Sequence, residues 1–281
     1  MIKLLVDFCF ECEFYLKVAL SCTILQQLFY WRLSTTEQKF STQVLLYWVV
    51  GSISFYSIGF LIENIIKNNL KLTEKLTARV KKVKKQKFPL ATIKGVVLGE
   101  IKSLIAVTLI LLLAPETSRG NSFLVNFTWF LMRIVLADLC FYIAHWLLHR
   151  KFLRKIHLKH HEFQDTSSLV AGHKSLVEYI IVTITDLLPI FILGYDTNQL
   201  LAWTLVGNAY NLEGHSSLSL FFISSDFHDL HHTCFRGNYG IQGFWDRVFK
   251  TLNPPHKKAG IVFPTASLEK MLLKAPVKDV A

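Results

Sequence analysis

Ten of the eleven histidines fall between positions 145 and 232, and most of them repeat a spacing. His145 and His149 form H-x3-H, His157, His160 and His161 form H-x2-HH, and the same H-x2-HH returns at His228, His231 and His232. Residues three and four apart share a helical face. At about 100° per residue, each triplet would therefore crowd its imidazoles into an arc of about 100°. Neutral imidazole is the commonest metal ligand, and the eight rings offer more nitrogens than one tetrahedral zinc uses. Two metal ions sharing them is the economical inference. Imidazole suits iron, zinc, copper and nickel alike, so spacing does not choose the metal. Histidines that are merely solvated, bind lipid phosphate or sense pH would keep no fixed interval; two identical triplets do.

Weaker candidates surround this set. Asn211 and His215, in NLEGH, are four apart and follow the last apolar run, so they would face the same site as further metal ligands. His173, in AGHKSLVE, is either a ligand or a donor behind one. Asp138 and Tyr142 lie seven and three residues before His145 on its helical face. An aspartate in an apolar run is expensive and is retained for a partner. A ligating imidazole, which it would orient, is the natural one; Arg133, five residues earlier, is the alternative. Glu162 and Glu178 would support ligands or lie on the surface, and His256 is solvated in a polar tail.

These residues need helices to carry them. With 52% hydrophobic and 18% charged residues and a mean hydropathy of +0.36, the chain is too apolar for a soluble protein. Spanning segments need about 20 apolar residues, and such runs occur near 14–33, 43–66, 92–114 and 122–144. Two more, near 175–195 and 197–213, flank the turn GYDTN and would span or only dip into the bilayer. The reading is an all-α integral membrane protein of four to six membrane-embedded helices, because a spanning segment must satisfy its own backbone.

The net charge of +11 comes mainly from residues 67–87, where nine Lys/Arg face one Glu. A basic loop between apolar runs suits anionic lipid rather than nucleic acid, and marks the cytosolic side. Span parity then brings all histidine clusters to that side, in a cytosolic helical cap. Three regions follow: N-terminal membrane helices over 1–120, a histidine-bearing region over 121–256 and a tail over 257–281. Five scattered cysteines argue for free thiols rather than a disulfide framework. The start MIKLLVDFCFECEF does not read as a removable signal peptide, and the sequon at Asn126 lies inside an apolar run.

The H-x3-H and two H-x2-HH clusters, in this order after paired spans, resemble the fatty acid hydroxylase (sterol desaturase) superfamily of integral membrane di-iron enzymes. The resemblance covers about residues 122–251. KIHLKHHEF and HDLHHTCFRGNYGIQGFWDRVFKT look most like its sterol branch, with methylsterol monooxygenases, sterol C-5 desaturases and cholesterol 25-hydroxylase. It implies two non-haem iron ions, dioxygen, and electrons from NAD(P)H through cytochrome b5 and its reductase. It also implies the endoplasmic reticulum membrane and a membrane lipid substrate that is hydroxylated or desaturated, a sterol before a fatty acid or sphingolipid. The chain departs from the pattern at Lys250, where many relatives carry Gly, and at GHKSLVE, where AHPLE is common. A metal-binding or metal-transporting membrane protein is the rival from another class; it would string histidines along a path through the spans.

Overall fold

The computed structural model describes residues 2–33, 40–66, 68–69, 93–113, 116–117, 122–163, 167–223 and 225–253. The basic loop 67–87, apart from residues 68–69, and the tail with His256 lie outside them. Six long helices coincide with the six apolar runs: α1 (Ile2–Leu33), α2 (Phe40–Phe60, prolonged by a π turn over Leu61–Ile66), α3 (Ile93–Leu113), α4 (Phe123–Leu148), α6 (Leu176–Leu193) and α7 (Thr197–His215). Short helices α5 (Arg154–His157), α8 (Ser225–Cys234) and α9 (Phe244–Val248) complete the order, with 3-10 turns over His160–Glu162 and Ser168–Gly172. Among the described residues there is no strand, only an isolated bridge from Glu116 to Tyr195.

Side-chain caps start the two arms of the hairpin. Ser175 accepts the Glu178 N–H at 3.1 Å at the head of α6, and Asp196 forms a capping box with Gln199 at the head of α7, satisfying donors the first turn leaves free. Gly194, at φ 67°, ends α6 in a backbone conformation few other residues adopt.

Among the described residues, three helices are long and apolar enough to cross a membrane: Thr42–Asn64, Phe123–Leu148 and Leu176–Leu193. The first hairpin arm thus qualifies, and the runs near 14–33 and 92–114 are helical as well. Large apolar side chains such as Ile53, Leu112, Leu124 and Ile192 are exposed on these helices, as lipid-facing surface should be. The second hairpin arm, α7, is instead central: Leu200, Leu201, Ala202, Trp203, Val206 and Leu212 are buried. It joins α1 and α4 in one core, where Phe14, Val18 and Cys22 meet Trp129, Phe130 and Ile134, and α2, α3 and α6 in a second around Tyr47, Leu111 and Ile190. Asn126 is fully buried and accepts the Gln199 side chain at 2.6 Å, so it is no glycosylation site in the fold. Cys12, Cys22, Cys140 and Cys234 are free thiols.

Candidate metal centre

The C-terminal ends of α4 and α7 meet α5, the His160–Glu162 turn and α8, and nine histidines converge there in two groups. His145, His149, His157, His161 and His231 form one; His160, His215, His228 and His232 form the other. Within each, one nitrogen from every ring lies within 4.8 Å of the rest. His149 is half-buried and the other eight are buried.

Each triplet is divided between the groups. His157 and His161 join the first while His160 turns to the second; His228 and His232 join the second while His231 turns to the first. The arc of imidazoles expected of each triplet thus serves two metal positions rather than one. Residues four apart stay together, and the residue at the intermediate position points away. Around 157–161 the chain is also not one continuous helix, since α5 ends at His157 and a 3-10 turn begins at His160.

Five of the outward nitrogens are held by acceptors. His145 Nδ1 lies 2.8 Å from the Tyr239 carbonyl, His231 Nδ1 2.7 Å from Gly237 O, and His157 Nδ1 2.9 Å from Glu178 Oε1. In the second group, His215 Nδ1 lies 2.8 Å from Asn211 O and His160 Nδ1 3.3 Å from His173 O. A carbonyl cannot donate, so Nδ1 of His145, His231, His215 and His160 carries the proton and the matching Nε2 of a neutral ring carries a lone pair; His157 does the same while Glu178 is ionised. Burial, reinforced by neighbouring rings, keeps these rings neutral, lowering His157 to about 2 and His149 to about 3. Burial likewise lowers His231 to about 4, and His160, His161, His228 and His232 fall well below the usual value of 6.5.

A conflict follows that protein atoms alone do not resolve. His145 Nε2 and His157 Nε2 face each other at 3.1 Å, and His160 Nε2 and His215 Nε2 at 3.3 Å. In the His160–His215 pair carbonyls hold both Nδ1 protons, so two lone pairs point together; the His145–His157 pair is alike when Glu178 is ionised, the form a nearby cation favours. A cation among them removes the repulsion, and one such pair lies in each group. The donor set therefore fits two metal ions, held by all-imidazole ligands.

The supporting candidates fall differently from their expected roles. Asp138 is fully buried but touches no imidazole: it accepts the Tyr15 hydroxyl at 2.5 Å and the Ile241 N–H at 2.6 Å. Tyr142 bonds Thr251 Oγ1 at 3.1 Å and stacks on Phe249. Both anchor the loop that presents the Tyr239 carbonyl to His145, rather than the ring itself; helical phase showed their face but not the loop arriving from residues 239–251. Arg133 is not the partner of Asp138 either. His173 lies in neither group, because its Nε2 turns to Glu162 at 2.8 Å and its carbonyl serves His160. Asn211 contributes its backbone carbonyl to His215.

Other residues that matter carry no motif. Asp246 accepts the N–H groups of Tyr239 and Gly240 at 2.8 and 2.7 Å and the Thr251 hydroxyl at 2.7 Å. Glu213 gathers the N–H groups of Leu220, Phe221, Phe222 and Ile223, fixing the loop that leads into α8. Gly237 has φ 71°, and a Cβ there would lie 2.2 Å from the Thr251 carbonyl, so glycine is required where the backbone receives His231. The only signal for this scaffold is the turn-rich RGNYG itself.

A cavity of about 340 Å³ opens from the histidines into the bundle. His145, His157, His160, His215 and His228 line one part of it; Phe55, Val107, Ile110, Phe141 and Trp203 line the apolar walls. Its size and lining suit a small lipid.

Fold and site define a class: an all-helical membrane protein with a buried histidine centre, able to hold metal, that opens on an apolar cavity. Residues 130–251 match the fatty acid hydroxylase family model, so the likeness to that family covers the part of the chain that carries the histidine groups. It is similar to fatty acid hydroxylase domain-containing protein 2 of Homo sapiens, 28% identical over 136 residues that cover 45% of this chain and 40% of that protein. It is also similar to methylsterol monooxygenase 1 of Gallus gallus, 30% identical over 42% of this chain and 43% of the relative. The Rattus norvegicus protein of the same name is 31% identical over 42% and 44%. The chain spans about two fifths of the length of these curated relatives. No solved structure matches.

Proposed function

We propose that the chain is a membrane-bound, dioxygen-dependent di-iron oxidoreductase that hydroxylates or desaturates a lipid, with a sterol as its substrate. The observation that carries this reading is the pair of histidine groups, each with facing lone pairs, at one end of a lipid-sized cavity. The sterol rests on the relatives named methylsterol monooxygenase. Iron, when bound, would supply the redox chemistry that activates dioxygen. The chain's own residues do the rest. Carbonyls of Gly237, Tyr239, Asn211 and His173 and the Glu178 carboxylate fix every ring they touch in one tautomer, so the Nε2 lone pairs are aimed before metal arrives. Walls of Phe55, Val107 and Trp203 exclude water and admit an apolar body.

Electrons come, in this reading, from NAD(P)H through cytochrome b5 and its reductase on the cytosolic face of the endoplasmic reticulum membrane. A basic groove lined by Arg150, Arg154, Arg236 and Lys250 runs beside His149, which suits an acidic protein donor. The catalytic region is that of residues 121–256, preceded by membrane helices over 1–120 and followed by the tail 257–281.

Lipid profiling of cells lacking and over-expressing the protein tests this directly. A precursor that rises on loss and falls on over-expression names substrate and reaction together, and the purified protein should carry about two iron ions per chain, one for each group. An unchanged lipid profile combined with metal uptake by vesicles holding the protein would replace the proposal with transport.

A further inference from the structure

Arg133 sits near the middle of α4 and is 1% exposed. Its guanidinium lies 4.1 Å from the ring centroid of Trp203 and 5.3 Å from that of Trp129. Aromatic faces attract the cation but accept few of its N–H groups. Nε and Nη1 are buried with no hydrogen-bond partner. An arginine inside a spanning helix, with charged donors left unsatisfied, is costly unless something completes it. Asp138 does not, being held by Tyr15 and the Ile241 N–H. The carboxylate that acts on Arg133 is Asp186 of α6, yet no direct ion pair joins the two among the described residues. Both line the same cavity as the histidines.

We propose that Arg133 and Asp186 form the binding site for the hydroxyl head of the lipid, at the end of the cavity remote from the histidines. The inference rests on the lipid-oxidoreductase reading and extends it to the substrate's orientation. A hydroxyl answers both partners, because its oxygen accepts from the guanidinium while its hydrogen goes to the carboxylate. A carboxylate or sulfate head would meet Asp186 as a like charge, and a lipid without a polar head would leave the N–H groups unpaired. Arg133 precedes His145 by twelve residues, which is about 18 Å along a helix. The bond presented to the histidine end therefore lies far from the hydroxyl, on the order of a sterol's own length away.

The test uses purified full-length protein in lipid nanodiscs, with radiolabelled cholesterol as the probe and its 3-deoxy analogue and sulfate ester as competitors. Wild type should bind cholesterol at least about tenfold more tightly than either competitor, as a hydrogen bond to a charged group implies. Arg133→Gln and, separately, Asp186→Asn should bring cholesterol down toward the deoxy level while leaving the deoxy analogue unchanged. That retained affinity shows that the variant is folded. Equal binding of cholesterol and the deoxy compound by wild type, absence of binding to either, or tighter binding of the sulfate overturns the proposal. So does a folded variant that still discriminates; the wild-type comparison decides if both variants fail to fold. Mass fragmentation of the product of iron-loaded protein should place the change on the hydrocarbon end. Discrimination without any product would sink the oxidoreductase reading and leave the head-group site standing. Product without discrimination would do the reverse.

Discussion

The two ends of the cavity are polar for opposite reasons. At the histidine end, five outward Nδ1 groups are matched by carbonyls and a carboxyl group, and the Nε2 lone pairs behind them point inward. At the Arg133 end, the unmatched groups are donors. One end is short of positive charge and the other of an acceptor, so each asks for a different kind of guest. The difference teaches that unsatisfied buried groups are informative by sign as well as by number.

The largest test of this contrast takes one residue from each histidine group. His231→Ala and His160→Ala should each lower bound metal and reduce lipid oxidation about a hundredfold or more, since removing a ligand should exceed the ten- to hundredfold cost of losing a supporting partner. Metal analysis with product assay checks it; full activity in both variants would end the metal-centre reading. Next in size is Glu178→Ala, which leaves the buried His157 Nδ1 without its acceptor. Metal affinity should fall about ten- to hundredfold, whereas Glu162→Ala, whose partner His173 lies outside both groups, should leave it nearly unchanged.

Acidity should separate the ends further. The folded metal-free protein holds His157 near about 2, His149 near about 3 and His231 near about 4, against 6.5 for a free ring. As pH falls through 6.5 the unfolded chain takes up protons first, so stability is full above that value and drains away down toward those depressed values. Thermal melts of the metal-free protein should show a lower midpoint at pH 5.5 than at 7.5; an unchanged midpoint would contradict the burial of neutral rings. The smallest effect is expected at Lys250, which has φ 58°, a left-handed conformation that favours glycine. Lys250→Gly should be stabilising by no more than about 1 kcal/mol, the left-handed strain relieved being partly offset by chain entropy, as chemical denaturation would show.

Much of the fold could be read in advance because lipid leaves the backbone few options: each of the six apolar runs is a helix. Which of them faces lipid could not, since α7 has Asn198 and Gln199 buried against its neighbours and occupies the centre of the bundle. The nine clustered histidines were visible from spacing. Their sorting into two groups was not, because the face rule assumes an unbroken helix and the chain changes helix type between His157 and His160. Asp138 was noticed for the right reason, its cost, but its partner Ile241 lies about a hundred residues downstream. Arg133 was visible only as a local foil for Asp138; the residues around it, Trp203 and Asp186, belong to other helices, and no short-range pattern connects them.

His160 and His161 are consecutive, as are His231 and His232, yet each pair is shared out between the two groups. Two peptide bonds therefore act as rulers. Consecutive Cα atoms stand about 3.8 Å apart whatever the surroundings, so the spacing between the groups is written into covalent structure twice and is insulated from bilayer thickness and thermal breathing. Inserting or deleting a single residue beside either pair would turn it by about 100° and weaken both groups together.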